Sequence, residues 1–312
     1  MDIEGSSLDV QFNQIELIFE HDPELNVAMY KSFSGNATDI GGVFYHIGKD
    51  KFGVVRIGDS KDSWWTWKPS SGRWTPGTLG AQLFCMHELT EYYEYTKKRF
   101  QKNTPDAKLA KSRETRLDHI MKVLKNPSLR SGILLEAAAV FLSHDSNFEE
   151  RLDAILGFAN GVYDLSLGEF RAAEPHDYNT MTCGYALPDT IDPQIRKEIL
   201  TFFNEIQPNT EEREYLQRLL GSSLHGEKED ELFHIFTGET RNGKSVLADI
   251  MKYTLNDYYE SIKSTMLTGE QGSSSSASPD LMALYRKHFV IGSARKAQNH
   301  QQRIHEDDHW KR

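Results

Sequence analysis

The spacing of apolar residues along the chain alternates between two rhythms, and the sharpest change falls late. Leu232-Phe233-His234-Ile235-Phe236 is a short, largely apolar run, suited to a buried parallel strand. Directly after it, Val246, Leu247, Ile250, Met251 and Leu255 recur at helical spacing, which predicts a helix over residues 245–255. Earlier in the chain the pattern predicts a short helix around Pro23 to Phe33, an apolar run Val43–Ile47 and a strand over Phe52–Ile57. Trp64–Trp67 and Arg73-Trp74 flank Pro69-Ser70-Ser71-Gly72 and read as a hairpin. One helix is expected from Leu79 to Phe100 and a second, started by Pro105 and Asp106, to about Lys125. Asn126-Pro127-Ser128 ends it, and Leu129–Leu142 makes another. The Asn160-Gly161 dipeptide, set between Phe158 and Leu165 and followed by Gly168–Arg171, predicts a second hairpin. Pro193–Ile206 and Thr210–Leu224 are amphipathic, with Asp192 and Thr210 as their capping residues. Beyond the late helix, Gly272–Ser276 reads as a flexible loop, Pro279–Tyr285 as a short helix and His288–Gly292 as a buried strand.

Composition narrows the class. A chain of 312 residues, 38% hydrophobic and 26% charged, holds about two domains. The boundary is expected near residue 190, with 1–190 an α+β domain of aromatic hairpins and helices. No run approaches a membrane span and the N-terminus lacks signal-peptide regions, so an intracellular, membrane-free setting is expected. Cys85 and Cys183 form no CxxC pair, which argues against a structural zinc site or a disulfide framework.

Net charge is −10, which speaks against a protein that coats nucleic acid. The charge is uneven, however. Tyr95–Arg130 holds eleven Lys or Arg against Asp106, Glu114 and Asp118, a net of +8, leaving −18 elsewhere. Such a segment either contacts phosphates or forms a solvated helix face, and the solvated face is the favoured reading. Four of the five tryptophans sit between residues 64 and 74. They either stack bases or form the apolar face of a small sheet, the latter being commoner.

Chemistry concentrates at the change of rhythm. Gly238-Glu239-Thr240-Arg241-Asn242-Gly243-Lys244-Ser245 satisfies the phosphate-binding loop pattern at every fixed position. Strand, glycine-bearing loop and helix N-terminus together present backbone N–H groups and partial positive charge to a phosphate. Lys244 would reach the β- and γ-phosphates of ATP and the Ser245 hydroxyl would ligate Mg²⁺. The alternative is a chance match on a surface loop.

In this order the segments resemble the superfamily 3 helicases of large DNA viruses and phages, most closely the poxvirus and iridovirus type of primase-helicase. The resemblance rests on the aromatic hairpin Trp64–Trp74, on Asn160–Leu165 with Gly168–Arg171, and on Thr240 with the Asn242-Gly243-Lys244-Ser245 ending. It implies an AAA+-like P-loop NTPase core with a parallel sheet over 191–312, preceded by a linker-type domain. It also implies ATP and Mg²⁺ as cofactors, DNA (single-stranded or forked) as partner, assembly as a ring, usually a hexamer, and a primase partner. The setting would be the host cytoplasm or the viral replication site.

The pattern breaks at the C-terminal end. Hydrolysis needs carboxylates after the second core strand. Here Phe289-Val290-Ile291 is followed by Gly292-Ser293-Ala294-Arg295-Lys296, and no acid appears until Glu306. The core is therefore expected to be incomplete, with weak nucleotide binding and poor turnover. Residues 294–312 hold His300, His305 and His309 beside Glu306, Asp307 and Asp308. They read either as a metal site or, preferably, as a polar, disordered tail. Read one base later, codons for Glu306–Trp310 permit Lys-Met-Thr-Thr-Gly, close to a segment of the helicase family, so a frame change near Ser293 is a further reading. Two other functions stay open: a non-catalytic replication-associated module binding nucleic acid or protein, and a small-molecule kinase. Against the kinase stand the large domain before the loop and the lack of a lid after it.

Overall fold

A computed structural model describes residues 18–19, 21–57, 61–103, 107–144, 154–226, 232–238, 241–263, 266 and 279–293. The chain divides into two compact units, one of Met1–Met181 with Tyr185–Leu187 and one of Thr182–Gly184 with Pro188–Arg312.

The first unit begins with helix α1 (Pro23–Ser32), whose Asp22 cap accepts from the Leu25 N–H at 2.8 Å and whose Pro23 occupies the first turn. Helix α2 (Ala37–Gly48) follows, capped by Asn36. The apolar run 43–47 thus lies within a helix. Ile40, Val43 and Phe44 are spaced at three and four residues and are all buried. Strands β1 (Phe52–Ile57), β2 (Lys61–Lys68) and β3 (Arg73–Pro76) form an antiparallel sheet in that order.

The single helix expected over 79–100 is two, α3 (Leu79–Met86) and α4 (Glu88–Asn103). His87 leaves the helical region at φ −114° and ψ −82°, and the Thr90 hydroxyl donates to the Cys85 carbonyl. Helix α5 (Ala107–Lys125) ends where expected, but Asn126-Pro127 also starts α6 (Pro127–His144). The Asn126 side chain accepts from the Ser128 and Leu129 N–H groups, so the dipeptide expected only as a stop is also the next start. Strands β4 (Ile155–Phe158), β5 (Gly161–Asp164) and β6 (Glu169–Arg171) make the second antiparallel sheet.

The core gathers around Phe44. Its ring lies 4.8 Å from Phe84, 5.3 Å from both Phe52 and Trp64, and 5.8 Å from Phe141. Trp64 is sealed in this cluster, and the buried Trp74 donates its indole N–H to the Pro175 carbonyl at 2.9 Å. Trp74 stands opposite Trp67, three residues along β2 from Trp64, so the two buried rings lie on opposite faces of the sheet, Trp64 toward the Phe44 cluster and Trp74 toward Pro175 and Tyr178.

In the second unit α7 (Pro193–Ile206) is capped by Asp192. The cap of α8 (Thr210–Ser222) is Asn209, whose side chain accepts from Glu211 and Glu212, in place of the expected Thr210. Helix α9 (Lys244–Leu255), strand β7 (Tyr259–Lys263), a short helix Pro279–Met282 and strand β8 (Phe289–Ser293) complete it. Strand β7, which no sequence pattern announced, pairs in parallel with β8 from Tyr259↔Phe289 to Lys263↔Ser293. Among the described residues this pair is the whole parallel sheet.

One expectation fails outright. Residues 232–236 form no strand; Phe233 and Ile235 are 79% and 72% exposed. An apolar run becomes a buried strand only if neighbours pair its edges and cover its faces. No described strand does so here.

Candidate nucleotide-binding site

The described part of the phosphate loop has a backbone that its residue types explain. Gly238 sits at φ 149° and Gly243 at φ 83°, conformations that favour glycine. A Cβ at Gly238 would meet the Asn242 amide at 2.1 Å, and one at Gly243 would meet Ile206 Cγ2 at 2.4 Å. Arg241 adopts φ 64°. Glu239 and Thr240 lie outside the described residues.

Gly243 is also the N-cap of α9 and offers no side chain to the first-turn N–H groups. A twelve-residue helix therefore starts uncapped behind two glycines, the local dipole arrangement that suits an anion. Lys244 curls over the loop, donating to the Gly238 carbonyl at 3.0 Å and to Asn242 Oδ1 at 2.6 Å. Asn242 thus holds the ammonium near the loop. Ser245, on the first turn, is exposed. The helix is anchored behind by Leu247, Met251 and Leu255, all buried.

These residues fit a phosphate ligand: the cradle is glycine-lined, the helix end is uncapped and the cation is positioned. For Mg²⁺ the described site offers only the Ser245 hydroxyl. Strand β8 occupies the place of the expected second core strand, and residues 294–312, with the histidine and acidic cluster and the proposed frame change, lie outside the described residues. Among the described residues no group of three or more His, Cys, Asp or Glu side chains is placed to hold a metal.

Asn160–Leu165 and Gly168–Arg171, two of the segments that carried the helicase resemblance in the first unit, have structural work. The Asn160 side chain accepts from the Leu187 N–H at 2.8 Å and donates to the Leu187 carbonyl at 2.9 Å. A Cβ at Gly161 would lie 2.4 Å from the Arg171 carbonyl oxygen. Asp164 closes the next turn by accepting from Ser166 and Leu167. Arg171 forks onto Asp177, with bonds of 2.7 and 2.9 Å, and reaches Asp164 at 3.4 Å. The Asp177 and Asp164 carboxylates hold the guanidinium more firmly charged than usual. Asp177, 5% exposed, also accepts from the Glu174 N–H at 2.7 Å. Sequence reasoning missed Asp177; its signal was the capping box Glu174-Pro175-His176-Asp177.

A family model described as "D5 N terminal like" matches residues 43–208, more than half of the chain. The chain belongs to the D5 N-terminal-like family. The D5 segment thus runs from within α2 to just beyond α7, taking in both antiparallel sheets and stopping before the phosphate loop. Curated relatives include "Putative helicase L207/L206" of Acanthamoeba polyphaga mimivirus, 38% identical over 166 residues, covering 52% of this chain and 17% of that protein. "Putative helicase 184R" of Invertebrate iridescent virus 6 is 34% identical over 146 residues, 45% of this chain and 15% of its own. "Putative helicase 121R" of Invertebrate iridescent virus 3 is 29% identical over 143 residues, 44% of this chain and 15% of its own. The match spans less than a fifth of each relative's length. The chain is thus similar, through its D5 N-terminal-like segment, to viral proteins named as putative helicases. No described helix is long and apolar enough to cross a membrane.

Proposed function

We propose that this chain is a nucleotide-binding component of a viral replication helicase, taking ATP with Mg²⁺ at Gly238–Ser245. The observation that carries the reading is Lys244, held over Gly238 at the uncapped start of α9. Gly238, Arg241, Asn242 and Gly243 shape the cradle, Glu239 and Thr240 complete it in sequence, and Lys244 and Ser245 meet the phosphates and the metal ion. The surrounding core is the AAA+-like sheet of that class, with DNA, single-stranded or forked, as the substrate. Ring-shaped self-association, usually as a hexamer, and a primase partner accompany the activity at the intracellular site of viral replication. Because no carboxylate follows Ile291 before Glu306, this chain binds nucleotide better than it hydrolyses it.

Binding of a fluorescent ATP analogue with Mg²⁺ to the full chain tests this. Saturable binding is expected, weakened at least about tenfold in Lys244→Ala, the loss of one charge-assisted phosphate contact. Equal binding by both proteins, or robust turnover indifferent to Lys244→Ala, would refute it. A second reading, a replication module that works without nucleotide, is favoured by one observation: the D5 match ends at residue 208, before the loop. It expects nucleic-acid binding that survives both Lys244→Ala and removal of everything after residue 190.

A further inference from the structure

The basic segment 95–130 forms the hairpin of α4 and α5, and the structure sorts its charges. Lys97 takes both described acids of the segment, lying 3.0 Å from Glu114 and 2.8 Å from Asp118. Glu114 further accepts from Gln101 at 3.0 Å, and Lys125 stands 4.0 Å from Glu94. The pairings 94–125, 97–118 and 101–114 run in opposite directions, so α4 and α5 are antiparallel and their seam absorbs the carboxylates. Asp106 lies outside the described residues.

Other cations are also spent. Arg113 covers the Phe100 ring at 4.6 Å, and Arg130 is buried with its guanidinium on the Leu124 carbonyl at 2.9 Å. What remains outside is a stripe of exposed cations on α5. On α5 the buried face is Leu117, Ile120, Met121 and Leu124. The opposite face, at spacings of four, four and three, carries Lys111, Thr115, His119 and Lys122, all exposed, with exposed Arg116 at its flank. Its axial length from Lys111 to Lys122 is about 16 Å at 1.5 Å per residue. Asp118, one turn before Lys122, borders it with its side chain 42% exposed and its carboxylate held by Lys97. On α4, Lys98 and Lys102 are exposed one turn apart.

We infer that the α5 stripe Lys111–Lys122, flanked by Arg116, is a binding surface for the phosphate backbone of DNA. A solvated face of ordinary kind intersperses both signs, and here Glu114 and Asp118 are both engaged by Lys97 while the remainder of the chain carries −18. That net-acidic remainder repels a polyanion, which favours this face over the rest of the chain. Recognition is of backbone charge, without base reading. The surface lies in the first unit, inside the D5 match, and the inference does not rest on the nucleotide reading.

The test compares the full chain with Lys111→Glu/Arg116→Glu/Lys122→Glu and with a control of equal charge change on exposed α7 and α8 positions, Arg196→Glu/Lys197→Glu/Arg218→Glu. Anisotropy of a labelled single-stranded oligonucleotide and of its duplex is read across a salt series. Each neutralised phosphate contributes about 0.7 to the logarithmic salt slope for single strands and about 0.9 for duplex. The stripe variant is expected to bind at least about tenfold more weakly, with the slope reduced by about 2, the loss of three such contacts. The control keeps its affinity. Lys111→Gln/Arg116→Gln/Lys122→Gln, with native circular dichroism, gives a smaller loss in the same direction. Lys244→Ala keeps DNA binding in nucleotide-free buffer, which separates this surface from the loop. Equal loss in the control, an unchanged stripe variant, or wild-type binding to phosphatidylserine vesicles but not to DNA overturns the inference.

Discussion

Adjacent glycines in α2 should respond to the same substitution with opposite signs. Gly→Ala inside a helix is worth about 0.5–1 kcal/mol in favour of the variant, because alanine loses less backbone freedom on folding. At Gly42 nothing lies within 4 Å of the added Cβ, so Gly42→Ala should collect that gain. At Gly41 the Cβ would lie 2.9 Å from the Ala137 nitrogen, 3.1 Å from its Cα and 3.2 Å from the Glu136 carbonyl carbon. All three are backbone atoms of α6 and cannot rotate aside. Helix α6 would have to retreat by several tenths of an ångström, and such overpacking costs about 1–3 kcal/mol. After subtracting the helix gain, Gly41→Ala is destabilising by about 1 kcal/mol. The two variants should therefore differ by about 2 kcal/mol, or about 4–8 °C in melting temperature for a unit of this size. Thermal and urea unfolding followed by tryptophan fluorescence reads this directly, since Trp64 packs on Phe44, three residues along α2. If Gly41→Ala were as stable as Gly42→Ala, the close approach of α2 to α6 would be wrong.

Arg171→Met strips a carboxylate that is 5% exposed of its forked partner and should cost about 2–4 kcal/mol by urea midpoint. The lower end is expected, because the Arg171 side chain is itself 30% exposed and Asp177 keeps the Glu174 N–H. Arg171→Met/Asp177→Leu should recover at least half of the loss; a double variant no better than the single would show that the two are uncoupled. Burial pushes the Cys85 and Cys183 thiols up to about 12. At pH 8 both should resist iodoacetamide in the native chain and react fully in denaturant, by mass spectrometry; rapid native labelling of Cys85 would contradict its place in the core.

Local features were legible in the sequence and partnered ones were not. The hairpin at Asn160-Gly161, the helix after Gly243 and the stop at Asn126-Pro127 follow from turn, cap and spacing chemistry held within a few residues. The glycines of the phosphate loop are likewise legible, because the left-handed φ at Gly243 is a property of one residue. Leu232–Phe236 shows the limit: its composition is that of a buried strand, but burial is conferred by neighbours. The meaning of Asp177 lies in Arg171, and the pairing of Glu114 and Asp118 with Lys97 depends on the register of two helices, neither of which a local pattern carries. Asn209 displaced Thr210 as cap by a single position, within the usual uncertainty of helix ends.

The exposed run Leu232–Phe236 has a colloidal consequence. Phe233, Ile235 and Phe236 have strong β propensity, and a five-residue run with no proline and only His234 able to ionise is the kind of segment that seeds intermolecular sheets. Directly before this run the sequence places Glu229-Asp230-Glu231, acids that keep copies apart by mutual repulsion. Solubility of the chain therefore depends on those charges staying ionised and unscreened. High salt, or acid approaching the carboxylate range, should bring turbidity well before either unit unfolds.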